Sequence, residues 1–93
     1  MKKYEISFII RPDLEKEAVD KIAKDFEKVL VKNGANILSS KELGQKELAY
    51  SIKGQITGYY YLINIESETP AVDEFKRLAT IDENILRHII IKL

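Results

Sequence analysis

Over 93 residues the spacing of apolar side chains switches back and forth between a two-residue and a helical repeat, and this alternation limits the possible folds more than any single motif. Residues 4 to 10, YEISFII, place Tyr4, Ile6, Phe8 and Ile10 on one side and Glu5, Ser7 and Ile9 on the other, and Arg11-Pro12-Asp13 ends the run. This is a first strand. From Glu15 to Lys32 the apolar residues Ala18, Val19, Ile22, Ala23, Phe26, Val29 and Leu30 recur at three- and four-residue spacing. That spacing predicts an amphipathic helix, which Asn33-Gly34 stops with a left-handed turn. Residues 36 to 43 and 46 to 52 read as a long, polar second strand with a bulge or bend at Gly44. Lys53-Gly54-Gln55 marks a turn, and after Gly58 the run YYYLINI, 59 to 65, carries the densest aromatic and β-branched content of the chain. Thr69-Pro70 has the chemistry of an N-cap and first turn, with Asp73 and Glu74 following and Val72, Phe75, Leu78 and Ala79 as the apolar stripe. Asp82-Glu83-Asn84 closes this second helix, and ILRHIIIKL reads as a fourth strand.

The order strand-helix-strand-strand-helix-strand is the split βαβ arrangement of an α+β domain, with two helices covering one face of a four-stranded antiparallel sheet. No linker, repeat or low-complexity segment divides it, so residues 1 to 93 form one domain. Parity sends Ile6, Phe8, Ile10, Tyr59, Tyr61, Ile63 and Ile65 toward the helices. Ser7, Ile9, Tyr60, Leu62 and Asn64 then lie on the uncovered face. In the fourth strand a neutral histidine is easier to bury than a guanidinium, which assigns Leu86, His88 and Ile90 inward and Arg87, Ile89 and Ile91 outward. The uncovered face therefore carries Ile9, Tyr60, Leu62, Ile89 and Ile91, more apolar surface than solvation requires, and it is predicted to dock another protein.

Fifteen basic side chains balance fifteen acidic ones, which argues against a protein that grips nucleic acid by bulk charge; any RNA contact must be local. The side chains placed to touch phosphate are Lys2, Lys3, Lys46, Lys53, Arg87 and Lys92, on strand ends and the hairpin between the second and third strands. The lack of cysteine removes thiol chemistry and thiolate metal sites and fits a reducing compartment. No apolar run approaches the length of a membrane span or reads as a signal peptide, so a soluble, unprocessed cytoplasmic protein with no membrane partner is expected. No nucleotide-binding loop, zinc motif or nucleophile elbow occurs, and the one histidine, His88, has no ligand or carboxylate at useful spacing. Acid pairs such as Glu66/Glu68 and Asp82/Glu83 read as turn and helix-end residues. The prediction is a non-enzyme without metal or cofactor. TGYYYLIN, 57 to 64, overlaps in part the third-strand pattern of an RNA-recognition motif, but the parity of Tyr59 and Tyr61 points them at the helices, away from bases.

Tyr4-Glu5, Arg11-Pro12-Asp13-Leu14, Glu42-Leu43-Gly44, Leu48-Ala49-Tyr50 with Ile52, Gly58-Tyr59-Tyr60, and Asp82 through His88 together resemble the bacterial small-subunit ribosomal protein six family, in order and spacing, from Lys3 to Lys92. The resemblance implies a ferredoxin-like domain that is a structural part of the small ribosomal subunit. It also implies that the domain binds the central domain of small-subunit ribosomal RNA together with ribosomal protein eighteen and is monomeric when free. Where the family usually has two basic residues before Leu-Ala-Tyr, this chain has Lys46-Glu47, and the proline that commonly follows the tyrosine is Ser51. Family members often carry a C-terminal extension that helps hold the partner; here the chain stops at Leu93, which shifts the expected partner affinity toward the sheet. The rival reading is a ferredoxin-like regulatory domain that senses a small molecule and homodimerises through its sheet; its pocket would have to come from loops offering only Pro12, Asp13 and Ser67 to Thr69.

Overall fold

A computed structural model describes residues 1–93. The elements are β1 (Lys2–Ile10), α1 (Lys16–Lys32), β2 (Asn36–Ile52), β3 (Gln55–Ser67), α2 (Thr69–Ile81) and β4 (Ile85–Lys92). They form a ferredoxin-like α+β fold whose antiparallel sheet has the order β2-β3-β1-β4. No helix is long and apolar enough to cross a membrane.

The predicted inward residues meet the helices. Ile6, Phe8, Ile10, Ile63 and Ile65 are buried, together with Val19, Phe26 and Leu30 of α1 and Val72 and Phe75 of α2. All three phenylalanines of the chain converge there: Phe8 lies 5.7 Å from Phe26 and 5.8 Å from Phe75, and Phe26 lies 5.2 Å from Phe75, ring centre to ring centre. Tyr61 stacks on Phe8 at 5.4 Å and sends its hydroxyl out to donate to Asp20 Oδ1 of α1 at 3.0 Å. An aromatic body in the core with its polar tip satisfied at the rim is how a tyrosine is buried cheaply.

That hydrogen bond gives the fold a pH signature. The Tyr61 hydroxyl, aided by Lys16 and Lys24, holds the Asp20 carboxyl below the ordinary aspartate value, while burial and the nearby carboxylate push the Tyr61 phenol up. A depressed carboxyl contributes stability that is complete above its unfolded pKa and is lost as pH falls through the folded one. Asp20→Asn should therefore flatten the acid limb of a stability-versus-pH curve and leave the neutral region nearly parallel to wild type. Urea titrations from neutral pH into the acid range check this, and an unchanged acid limb would refute it.

Helix α1 ends as its sequence predicts: Gly34 has φ +93°, its N–H donates to Val31 O, and Ala35 N–H donates to Leu30 O. These paired bonds satisfy the last carbonyls of the helix. The start of α2 differs from the sequence reading. Glu68, not Thr69, holds the N-cap position and makes no side-chain cap bond, and Thr69 is the first helical residue. Proline tolerates either of the first helical positions, so Thr69-Pro70 marks the start of the helix without fixing its cap.

Strand β2 is continuous through Gly44, but its register against β3 shifts between Glu42 and Gly44, with Gly44 at φ +82°. The predicted bulge is there. Strand β4 departs from simple alternation. His88 pairs with Phe8 and Ile90 with Ile6 on the helix side as expected, but a bulge pairs Arg87 with Ile9 and Ile85 with Ile10, leaving Leu86 unopposed. Ile85, not Leu86, completes the core under the helices. Leu86 packs instead with Ile9 over Gly58 on the uncovered face: a Cβ at Gly58 would lie 2.3 Å from Ile9 Cγ2 and 3.5 Å from Leu86 Cδ1. Glycine at 58 is thus required by close approach.

Candidate functional site

The uncovered face can be read in rows across the sheet. From β2 to β4 the register aligns Gly44, Tyr60, Ile9 and Arg87 in one row, Lys41, Leu62, Ser7 and Ile89 in the next, and Ser39, Asn64, Glu5 and Ile91 in a third. The five residues predicted as a protein-docking face, Ile9, Tyr60, Leu62, Ile89 and Ile91, all lie in these rows. Ile9 is nearly buried by Tyr60, Leu86 and Gly58, whereas Ile89 and Ile91 on the edge strand are 41% and 48% exposed. The apolar surface is therefore a diagonal band that widens toward β4 and alternates with Ser7, Asn64 and Glu5. Asn64 Nδ2 donates to Ser39 Oγ at 3.0 Å, so the polar end of the band is internally satisfied. Neither helix touches this face.

The six predicted phosphate-contacting residues do not form one edge. Lys2, Lys3 and Lys92 gather where β1 begins and β4 ends, Lys3 opposite Glu66 and Lys92 opposite Tyr4. Lys46, Lys53 and Arg87 gather at the other end: Lys46 pairs with Gly58 and Arg87 with Ile9, and Lys53 occupies the turn after β2. At about 3.3 Å per residue, the six steps of β1 from Lys3 to Ile9 separate the two groups by roughly 20 Å. All six are exposed, and none pairs with a carboxylate.

Two members of the second group, Arg87 and Lys53, are held by contacts that sequence spacing does not suggest. Arg87 Nη1 donates to the Tyr50 hydroxyl at 2.8 Å, and Lys53 Nζ donates to the Ile85 carbonyl at 3.1 Å. The distal β2–β3 hairpin thus folds over the start of β4. Tyr50, 62% exposed, and Lys41, which faces Leu62 on the open face, belong to this surface and were missed by the sequence reading. In the sequence Tyr50 stands only within Leu48-Ala49-Tyr50, and Lys41 lies unmarked in the polar run of the second strand. Leu43, unopposed at the Gly44 bulge and 41% exposed, is a third such residue.

On the helix side, Lys16 binds Asp20 at 3.3 Å, pairs with Glu42 of β2, and lies 5.5 Å from the Tyr59 ring centre. Tyr59 and Tyr61 are therefore committed to the helix side, which removes the base-stacking arrangement of an RNA-recognition motif. No group of three or more histidine, cysteine or acidic side chains is arranged to hold a metal ion.

Two comparisons bear on this geometry. The family model described as ribosomal protein S6 matches residues 3–92. The crystal structure of 30S ribosomal protein S6 from Thermotoga maritima superposes with a TM-score of 0.95, at 22% sequence identity, over 99% of this chain and 87% of that one. At that identity the likeness speaks for the fold.

Proposed function

Because the chain belongs to the ribosomal protein S6 family and is thereby a protein of the small ribosomal subunit, we propose that it binds the central domain of small-subunit ribosomal RNA jointly with ribosomal protein eighteen. In this reading the band of Ile9, Tyr60, Leu62, Ile89 and Ile91 seats the protein partner, and the cationic side chains Lys2, Lys3, Lys46, Lys53, Arg87 and Lys92 meet RNA. The observation that carries it is the uncovered sheet face, apolar toward an exposed edge strand and bordered at both ends by cations without acidic partners.

Joint binding accounts for the zero net charge. A lone domain that neutralised many phosphates would need a basic excess; a domain that contributes a few contacts while its partner supplies others does not. The assembly makes and breaks no covalent bond. The apolar band buries first against the partner, and the combined surface then presents cations to a folded RNA. The free chain would be a monomer awaiting that partner.

Sedimentation of a native lysate through a sucrose gradient at moderately high salt tests this. The expected result is near-stoichiometric migration with the small subunit. A free monomer or a homodimer at the top of the gradient, with intact subunits below, would overturn the reading, and the homodimer would favour the sensor alternative.

A further inference from the structure

Where the β2–β3 turn crosses the start of β4, a cleft of about 260 Å³ opens beside the last turns of α2. Its polar lining is Lys53, Arg87, His88 and Thr80, with Leu86 and Ala79 as apolar walls. Arg87 and His88 point to opposite faces of the sheet, and both reach the cleft because β4 is an edge strand whose flank is open. We propose that this cleft seats one backbone phosphate of the RNA, with Arg87 and Lys53 as the cations, His88 as a third donor and Tyr50 as the residue that positions Arg87. This deepens the RNA-binding reading and rests on it.

Donor accounting supports the assignment. Arg87 has five N–H groups and gives one to Tyr50; Lys53 has three and gives one to Ile85. Both keep donors for an anion, and neither has a carboxylate partner. Tyr50 holds the guanidinium from one side, which reduces the freedom lost when a phosphate binds. Thr80 spends its hydroxyl proton on Lys76 O, so it lines the cleft without donating into it. The nearby end of α2 opposes an anion with about half a negative charge, and two full cations outweigh that. At the far end of the sheet, Lys3 lies opposite Glu66, Lys2 opposite Ser67 and Lys92 opposite Tyr4, and the three line no such cleft.

His88 is the only histidine of the chain and therefore a reporter. It packs edge-on against Phe75 of α2 at 6.3 Å and pairs with Phe8 of β1; the charged groups around it are Lys76 of α2, Lys53 of the turn and Arg87 of its own strand. Burial and Lys76 hold its pKa below the usual histidine value. A phosphate in the cleft would favour the protonated ring, so the midpoint should rise on binding and RNA affinity should strengthen as pH falls through the histidine range.

The test labels the His88 ring for NMR and adds a central-domain RNA fragment with ribosomal protein eighteen. The expected result is a moved ring resonance and a raised midpoint. Lys53→Ala and Arg87→Ala should each weaken RNA binding about tenfold and flatten the plot of log affinity against log salt by roughly 0.7 to 0.9. Tyr50→Phe should weaken binding less and have no added effect in the Arg87→Ala background, whereas Lys32→Ala, at the end of α1, should change nothing. RNA binding by gel shift with an unmoved His88 resonance would overturn the cleft and leave the RNA-binding reading standing. No RNA binding at any salt would overturn that reading and the cleft with it. A response to inorganic phosphate but not to RNA would overturn the phosphodiester assignment.

Discussion

Phe75→Ala is expected to cost about 3–5 kcal/mol of unfolding free energy. Phe75 is fully buried and touches every layer of the core: Phe8 of β1, Phe26 of α1 and His88 of β4. Truncation removes the ring's transfer energy and opens a cavity that three rigid elements cannot collapse to fill. Domains of this size are stable by only about 5–15 kcal/mol, and 1 kcal/mol moves the Tm of a domain of 60 to 100 residues by about 4–8 °C. The Tm should therefore fall by at least about 12 °C. Phe75→Leu keeps most of the volume and should cost less than half as much, and Val31→Ala, on the solvent side of α1, should stay within about 0.5 kcal/mol. Urea denaturation at neutral pH gives all three values. A loss below about 1 kcal/mol for Phe75→Ala would mean that the aromatic cluster is not the centre of the fold.

The residues forming that cluster were legible in the sequence because each lies on an unbroken repeat. Phe8 falls on the two-residue alternation of β1, Tyr61 on that of β3, and Phe26 and Phe75 on helical stripes, so local period and tertiary burial agree. Leu86 was illegible for a definite reason. Strand parity assumes one residue opposite one residue, and the bulge between Ile9 and Ile10 gives β4 one more, which turns Leu86 to the other face. His88 and Ile90 escape this because they lie beyond the bulge, in register with Phe8 and Ile6. Strand β2 carried little signal because it is an edge strand with mostly exposed side chains, so no alternation is imposed on it.

The candidate site shows the same division. Parity placed Ile9, Tyr60 and Leu62 on one face, since β1 and β3 are regular where those residues sit. The basic residues were visible as a set, but their grouping depends on strand order: Arg87 and Tyr50 are 37 positions apart and Lys53 and Ile85 are 32 apart, and only the folded hairpin brings each pair into contact. A pattern argument is local, and these contacts are not. The sequence also could not show that Lys2 and Lys53 lie at opposite ends of the molecule, because that follows from β1 running antiparallel to β3 in the middle of the sheet.

Ile89→Asp should abolish most of the proposed binding to ribosomal protein eighteen while sparing the fold, which would separate a docking role of the sheet face from its structural role. Ile89 lies on the edge strand between Ser7 and solvent, with 41% of its surface exposed, so its replacement leaves no internal cavity and should change stability by no more than about 1 kcal/mol. In a docked complex the same position would be desolvated beside Ser7 and Ile91, and a carboxylate there would have to give up its water. Losses of about 2–4 kcal/mol, roughly 30- to 1000-fold in Kd, are usual for such an insertion. Val31→Asp supplies the control: Val31 is 56% exposed on α1, on the opposite side of the sheet, and carries the same chemical change. Isothermal titration of each variant with the partner, alongside thermal melts, distinguishes the cases. Equal weakening by Ile89→Asp and Val31→Asp would point to a general charge effect, and full binding by Ile89→Asp would move the partner off the open sheet. Selective loss would also explain how a neutral domain enters an RNA assembly, because the apolar band would then supply the affinity and the cations at its ends would set where the RNA lies.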